Sequence, residues 1–181
     1  MGERRQIRDG SARTRGFSLL ELSIATAVLV VGLLGGIVVI GVASANNGRS
    51  KTHTTSATLA RSTMEKILAI PSSASGAGSQ TQITDCAGNT FVIETATGGS
   101  PLIGSGAFSR SIDFSQAPQP NYSMIYAMCS SSPERYDVRW RIDPGATPST
   151  QLITVSAKSV TADRAVLFTL PYTLHAQRGD F

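Results

Sequence analysis

Residues 22–43 form the sequence LSIATAVLVVGLLGGIVVIGVA, an apolar run without an ionisable side chain in a chain of 181 residues. From Leu22 to Val42 the run is about 21 residues long, which as a helix covers roughly 31 Å and matches the hydrocarbon core of a bilayer. The rest of the chain is rich in Ser, Thr, Gly and Ala. We therefore expect one membrane-length helix and one small domain.

Positive charge is concentrated on one side of this run. The formal net charge is +4, and the residues before Gly16 supply +3 of it, from five arginines against Glu3 and Asp9: Arg4, Arg5, Arg8, Arg13 and Arg15. A cationic flank beside a membrane span is typically kept in the cytoplasm. The charge therefore predicts the orientation of the span, not a nucleic-acid surface, and it places the rest of the chain on the exported side.

The junction between the basic leader and the apolar run is Gly16-Phe17-Ser18-Leu19-Leu20-Glu21. An ionised Glu near the start of a membrane helix costs roughly 2.5 to 3.5 kcal/mol, so we expect Glu21 to have a compensating partner. The alternative is a conventional secretion signal, cleaved after the run at a small-residue site such as Ala43-Ser44-Ala45. That alternative predicts a soluble secreted protein.

The junction resembles the class III signal of type IV prepilins, pseudopilins and related competence proteins. The resemblance implies that a prepilin peptidase cleaves between Gly16 and Phe17 and that Phe17 is then N-methylated. It also implies that the Glu21 carboxylate meets the Phe17 amine of a neighbouring subunit, where opposite charges attract strongly in a low-dielectric filament core. The absence of proline from the run, together with Gly32-Leu33-Leu34-Gly35, is more similar to PilV-like minor pilins and I-type minor pseudopilins than to major pilins.

A second, amphipathic helix segment follows the apolar one. Helical spacing relates five apolar residues in this segment: Ala57, Ala60, Met64, Ile67 and Leu68. Pro71 and the Gly/Ser-rich residues 72–79 are expected to end the helix and to link it to a head.

Beyond this linker the hydrophobic period changes to two, which predicts four strands: Thr90–Thr95, Tyr136–Ile142, Gln151–Ala157 and Ala165–Leu174. The last three are expected to form an antiparallel meander. Val138, Trp140 and Ile142 should face the helix, while alternation puts Asp137, Arg139 and Arg141 on a wet face.

The predicted fold class is therefore α+β, a long N-terminal hydrophobic and amphipathic helix packed on a small antiparallel β-sheet head, as the pilin resemblance also implies. The expected divisions are a cleaved cytoplasmic leader, a transmembrane or filament-core helix, an amphipathic half and an exported β-rich head, at residues 1–16, 17–45, 46–71 and 72–181.

Cys86 and Cys129 are the two cysteines of the chain. They follow the apolar run, so the predicted orientation puts them in a compartment that permits disulfides. Neither C-x-x-C spacing nor a His cluster accompanies them, which favours a disulfide over a metal site. The bridge would fasten residues 98–133, which we expect to be mostly loop.

No residue cluster in the sequence suggests catalysis, so we expect no enzyme, cofactor, metal or small-molecule substrate. His53 and His175 are expected to be isolated surface residues. Arg178-Gly179-Asp180 is interpreted as a chance tripeptide at a frayed terminus. Arg139 and Arg141 could contact a nucleic acid, but a solvated sheet face is the preferred interpretation.

The resemblance predicts a minor pilin or pseudopilin subunit of a type IV pilus or type II secretion filament. Its expected location is the bacterial inner membrane, with a cytoplasmic N-terminus and an exported head, and then the filament. The expected partners are other pilin subunits and prepilin peptidase. A DNA-uptake pseudopilus component is the alternative within the family.

Overall fold

The computed structural model describes residues 18–71, 80–106, 110–129, 134–147, 150–160 and 170–179. The chain forms two compact units, Met1–Asn46 and Asn47–Phe181. One helix of 50 residues, α1, runs from Leu19 to Leu68, and its last part belongs to the second unit, which we call the head. The described part of the first unit is helical apart from Ser18.

Nine strands follow in the described part of the head: β1 Gln80–Thr84, β2 Thr90–Glu94, β3 Gly98–Gly99, β4 Leu102–Ile103, β5 Ser111–Ile112, β6 Ser123–Ala127, β7 Arg135–Pro144, β8 Thr150–Ser159 and β9 Tyr172–Gly179.

The main sheet is antiparallel and is organised around β7. One side of β7 pairs with β8, from Tyr136 opposite Ser159 to Pro144 opposite Gln151, and β8 pairs in turn with β9. The other side pairs first with β6 and then with β3. The predicted meander is confirmed, and hairpins β1–β2 and β4–β5 form two small separate sheets.

The core lies between the last part of α1 and one face of this sheet. Trp140, Val138 and Ile142 of β7 are fully buried. They cluster with four residues of α1: Leu59, Ala60, Met64 and Ile67. The indole of Trp140 donates a hydrogen bond to the Glu94 carbonyl at 2.9 Å, so its polar atom is satisfied inside the core. The α+β fold, with its helix packed against antiparallel strands, is as predicted.

The face of α1 that packs on the sheet was predicted only in part. Ser56, Leu59 and Thr63 are buried without having been predicted to be so. Leu68 was placed on the buried face but is 38% exposed. Small polar side chains, Ser56 and Thr63, are part of this buried face, so hydrophobicity alone does not identify it.

The predicted bounds of the last strand require correction, and β6 was not predicted. The last strand is Tyr172–Gly179, not Ala165–Leu174, because Pro171 has no N–H for a ladder and pairing starts after it; residues 161–169 lie outside the described ranges. The described part of residues 98–133 is mostly loop, as expected, but it includes β6, which was not predicted, with Met124 buried in the core cluster. The β6 sequence SMIYA is short and shows little alternation of polar and apolar residues, so the sequence did not indicate this strand.

The second face of the sheet is covered as well, so the predicted wet face is wrong. Ile112 of the β4–β5 hairpin is buried, and the Ser111 hydroxyl hydrogen-bonds the Thr173 hydroxyl at 3.0 Å. Arg139 is only 6% exposed, although it alternates with the core residues of β7 as expected. The head is therefore layered on both faces of one sheet.

Candidate assembly segment and the contacts that fix the head

The first part of α1 is an uncovered apolar surface. From Leu19 to Val42 its large hydrophobic side chains are between 53% and 87% exposed. It is the described helix that is long and apolar enough to cross a membrane. Exposing this much hydrocarbon to water is strongly unfavourable, so the segment needs lipid or other helices around it.

The hydroxyl groups of this segment are satisfied inside the helix itself. The Ser23 hydroxyl donates to the Leu20 carbonyl at 2.8 Å, and the Thr26 hydroxyl donates to the Leu22 carbonyl at 3.0 Å. Such back-bonding lets Ser and Thr lie in a bilayer without unpaired donors. Glu21 is then the one ionisable side chain between Leu19 and Val42.

Glu21 lies in the first turn of α1 and is exposed. A carboxylate at this end of a helix is favoured by the partial positive charge of the unpaired N–H groups. Among the residues that the structure describes, no cation forms a salt bridge with Glu21.

The structure of the single chain does not require glycine at four positions of α1: Gly32, Gly35, Gly36 and Gly41. A Cβ atom built at any of them meets nothing within 4 Å. Alanine would favour the helix by about 1 kcal/mol at each position. Glycine at these positions leaves the helix backbone accessible to close approach by another helix.

The predicted site residues lie in different parts of the chain. Gly16 and Phe17 are outside the described residues, and Glu21 is in the first unit. In the head, Cys86 and Cys129 form a disulfide with their Cα atoms 5.1 Å apart, as expected. The bridge connects the turn of hairpin β1–β2 to the end of β6.

Asp85 reinforces this junction. Its carboxylate accepts hydrogen bonds from the Ala87 and Asn89 amides at 2.9 and 2.8 Å, and from the Asn89 side chain at 2.9 Å. It also accepts one from the Ala127 amide of β6 at 3.3 Å. These donors, the Asn89 side chain first among them, lower the pKa of Asp85 below its ordinary value. The ionised carboxylate therefore joins hairpin and strand beside the disulfide.

Arg178 is the functional side chain that the sequence interpretation missed. It is 6% exposed in β9, not frayed. Its guanidinium donates to the carbonyls of Ile67 and Ile70 at 2.9 and 2.6 Å, to Thr95 at 3.4 Å, and to the Gln151 side chain. A cation here complements the unpaired carbonyls at the C-terminal end of α1.

Arg139 contacts residues 113–116, the segment that covers its side of the sheet. Its guanidinium donates to Asp137 at 2.7 Å and to the Gln116 carbonyl at 2.7 Å, and it lies over the Phe114 ring at 4.9 Å. Arg141 donates to Asp143 at 2.7 Å. Both arginines are therefore engaged with neighbouring groups in the fold.

The two histidines differ in environment. His53 is exposed on α1, as expected. His175 is half-buried on the covered second face, where its ring hydrogen-bonds the Thr154 hydroxyl at 3.1 Å, so its predicted isolation is wrong. Burial, with a smaller contribution from Arg110, lowers the pKa of His175.

No family model, no curated protein and no solved structure matches this chain. The described residues define an α+β protein with one apolar helix long enough for a membrane and a head closed by a disulfide.

The depressed pKa of Asp85 predicts an acid-sensitive head. Because the folded state binds this proton less readily than the unfolded state, Asp85 stabilises the fold above its ordinary pKa of 3.8, and this contribution is lost as the pH falls through the lower folded pKa. Asp85→Asn should be less stable at neutral pH and lose less stability between pH 5 and pH 2, measured by urea unfolding. Asn89→Ala should reproduce part of the change, and parallel pH profiles for all three proteins would contradict this role.

Arg178→Ala should reduce the free energy of unfolding by about 3 kcal/mol, because buried carbonyls lose a charged donor. Urea unfolding in detergent can follow the fluorescence of Trp140, the sole tryptophan. Arg61→Ala is the control, since Arg61 is exposed and its ion pair is with Glu65 of the same helix, a type of pair that contributes little to stability. Equal losses of unfolding free energy in the two variants would refute this role of Arg178.

Proposed function

We propose that this protein is a minor pilin or pseudopilin subunit of a type IV pilus or type II secretion filament. The observation that carries the proposal is the difference in surroundings between the two parts of α1. Its first part exposes an apolar surface with one carboxylate in the first turn, and its last part is built into the core of a head. Such a helix serves first as an inner-membrane anchor and later as a filament core.

Continuity of α1 supports retention of the apolar segment. Ala43, Ser44 and Ala45 lie inside the helix, with helical residues on both sides. A signal peptidase must bind its scissile bond in an extended form, and a helix does not offer one. The proposal therefore takes Gly16-Phe17 as the cleaved bond and keeps the segment in the mature protein.

The disulfide supports export of the head. Disulfides persist in oxidising compartments, and the Cys86–Cys129 bridge follows the apolar segment in the chain. With the basic leader on the cytoplasmic side, the head is on the exported side of a bacterial inner membrane. Its partners are prepilin peptidase and other subunits, and no enzymatic role, cofactor or small-molecule substrate is part of the proposal.

Assembly follows from what each subunit leaves uncovered. The exposed apolar side chains are buried when helices of several subunits bundle, and the glycines permit close approach. Glu21 loses water in that bundle, so it requires a cation, which the Phe17 amine of a neighbour supplies. The DNA-uptake alternative depended on Arg139 and Arg141, and their contacts with Asp137 and Asp143 give it no support.

Processing is the first test. Mass spectrometry of the mature N-terminus, in cells that have a prepilin peptidase, should find N-methylated Phe17 in the wild type. Gly16→Ala should abolish cleavage, while Gly10→Ala in the same leader should leave it unchanged. A mature protein that begins near Ala45 would overturn the proposal in favour of conventional secretion.

Glu21 tests the assembly step separately. Glu21→Gln removes the charge at nearly constant shape, so the protein should insert and be cleaved normally but be recruited to filaments at least tenfold less, since an unpaired ammonium in a low-dielectric bundle costs several kcal/mol. Recruitment is measured as the amount of subunit in sheared filament fractions. Glu65→Gln, on the exposed side of the same helix, is the matched control. Normal recruitment of Glu21→Gln would remove the ion pair from the mechanism.

A further inference from the structure

The β4–β5 hairpin is a small cover on the second face of the main sheet. Its strands, Leu102–Ile103 and Ser111–Ile112, have two residues each and pair antiparallel. Ile112 is buried at 1% exposure, whereas Ile103 is 52% exposed. Little apolar area therefore holds the hairpin, and its polar contacts with the sheet decide how firmly it is attached.

A chain of hydroxyl groups and one ion pair attach this hairpin. The Ser111 hydroxyl forms a hydrogen bond with the Thr173 hydroxyl of β9 at 3.0 Å, and Thr173 forms another with the Ser156 hydroxyl of β8 at 2.7 Å. Arg110, directly before β5, lies 3.6 Å from the Asp143 carboxylate of β7. At this distance the pair is held by charge, without a hydrogen bond. The attachment is therefore sensitive to any further charge placed in this layer.

His175 lies in the same layer. Its neighbours in β9, Leu174 and Ala176, pack against the core, so alternation puts the His175 ring on the second face. The ring is hydrogen-bonded to the Thr154 hydroxyl at 3.1 Å, and Thr154 is only 1% exposed. Thr173, which contacts the hairpin, is the preceding β9 residue on this face. A titratable group is thus placed beside the attachment of the hairpin.

The cations around His175 share one carboxylate. Arg110 approaches from the hairpin, and Arg141 of β7 lies in the same row of the sheet as His175. Arg141 donates to Asp143 at 2.7 Å, so this carboxylate faces two arginines. Protonation of His175 would add a third cation.

The remaining neighbours of His175 supply no compensating charge. β4 carries no ionisable residue, and the facing residues of β8 and β9 are uncharged: Thr154, Ser156, Thr173 and Gln177. In the described part of this layer, other charged side chains lie in rows further from His175 or at the far end of the hairpin: Arg139, Asp137, Lys158 and Asp113.

The direction of the pH effect follows from the surroundings of the ring. Burial, with a smaller contribution from Arg110, lowers the pKa of His175 below its ordinary value of 6.5. If the hairpin leaves the sheet, the ring meets water and its pKa returns toward that value. The open form then binds a proton more readily than the closed form. Opening is therefore favoured as the pH falls from about 6.5 toward the lower pKa of the closed form, and the effect is constant below it.

We propose that the β4–β5 hairpin is an acid-sensitive cover, which is released from the second face when His175 is protonated. Release exposes Ile112 and the hydroxyls of Ser156 and Thr173, a surface that the head does not present at neutral pH. The described core cluster on the opposite face includes no titratable side chain other than tyrosine, so it stays packed in this pH range. The inference concerns the head alone and requires neither cleavage nor a filament.

The test is amide hydrogen exchange, followed by mass spectrometry, on the full chain in detergent. Protection is expressed relative to the intrinsic exchange rate at each pH, so that the pH dependence of the exchange chemistry is removed. Between about pH 7.5 and about pH 5, we expect the protection of Ser111–Ile112 to fall at least about threefold, while β7 and β8 keep theirs.

Two matched substitutions assign the effect. His53 and His175 are the two histidines of the chain, and histidine is the side chain that ordinarily titrates in this range. His175→Asn retains a side chain that can hydrogen-bond Thr154 but takes up no proton, so it should abolish the pH dependence. His53→Asn makes the same change at the exposed histidine of α1 and should leave the dependence intact.

Arg110 tests the charge of the layer. Arg110→Gln removes a cation beside His175, so the pKa of the ring, followed by NMR, should rise and the pH dependence of protection should shrink. Arg110→Lys should restore both. Equal loss of protection at both pH values in Arg110→Gln, with an unchanged ring pKa, would overturn the role of Arg110.

A pH dependence that survives His175→Asn would overturn the proposal, because another group would then be the trigger. A parallel fall of protection in β5, β7 and β8 would also overturn it, since that pattern means unfolding of the whole head. If His175→Asn does not form the Cys86–Cys129 bridge, His175→Gln takes its place, and the wild-type profile is a test by itself.

Discussion

The packing of α1 on β7 and β8 is the interaction on which the rest of the head depends. Ile67 and Ala60 are fully buried against a sheet face that contributes Trp140, Val155 and Ile153. The sheet has no other described helix on this face, so the core exists only while the helix stays in place. Burying such side chains is worth about 1.5 to 3 kcal/mol each, far more than the exposed ion pairs of the head.

Polar contacts then fix the positions of the elements around the sheet, which apolar packing alone does not define. Arg178 binds the carbonyls at the end of α1, Arg139 binds the covering segment on the opposite face, and Asp85 with the disulfide binds the β1–β2 hairpin to β6. The last part of α1 is thus coupled to the sheet by apolar area and by buried hydrogen bonds.

The sequence predicted the fold where periodicity was long. The apolar run, the alternation of Val138, Trp140 and Ile142, and the cysteine pair were sufficient for a helix, a central strand and a bridge. Short elements were missed, because five residues such as SMIYA carry too little pattern to separate strand from loop. Arg139 and Arg178 were misjudged for a different reason. Their burial depends on backbone carbonyls that are distant in sequence, which no local pattern records.

The roles proposed for Gly16, Phe17 and Glu21 come from a short motif, and they concern contacts with other molecules. The structure of one chain does not display such contacts, so these residues stay predictions from the motif. The polar contacts within the head differ in this respect, because the structure identifies them and no sequence motif predicts them.

The bond between Arg178 and Ile67 joins residues 111 positions apart. A chain still being synthesised has made the whole of α1 long before β9 exists, and the Ile67 and Ile70 carbonyls then lack the guanidinium of Arg178. Loop closure over such a separation is slow compared with local helix formation. The head is therefore completed only by its last strand: a chain that stops short of β9 leaves the C-terminal end of α1 without its charged donor.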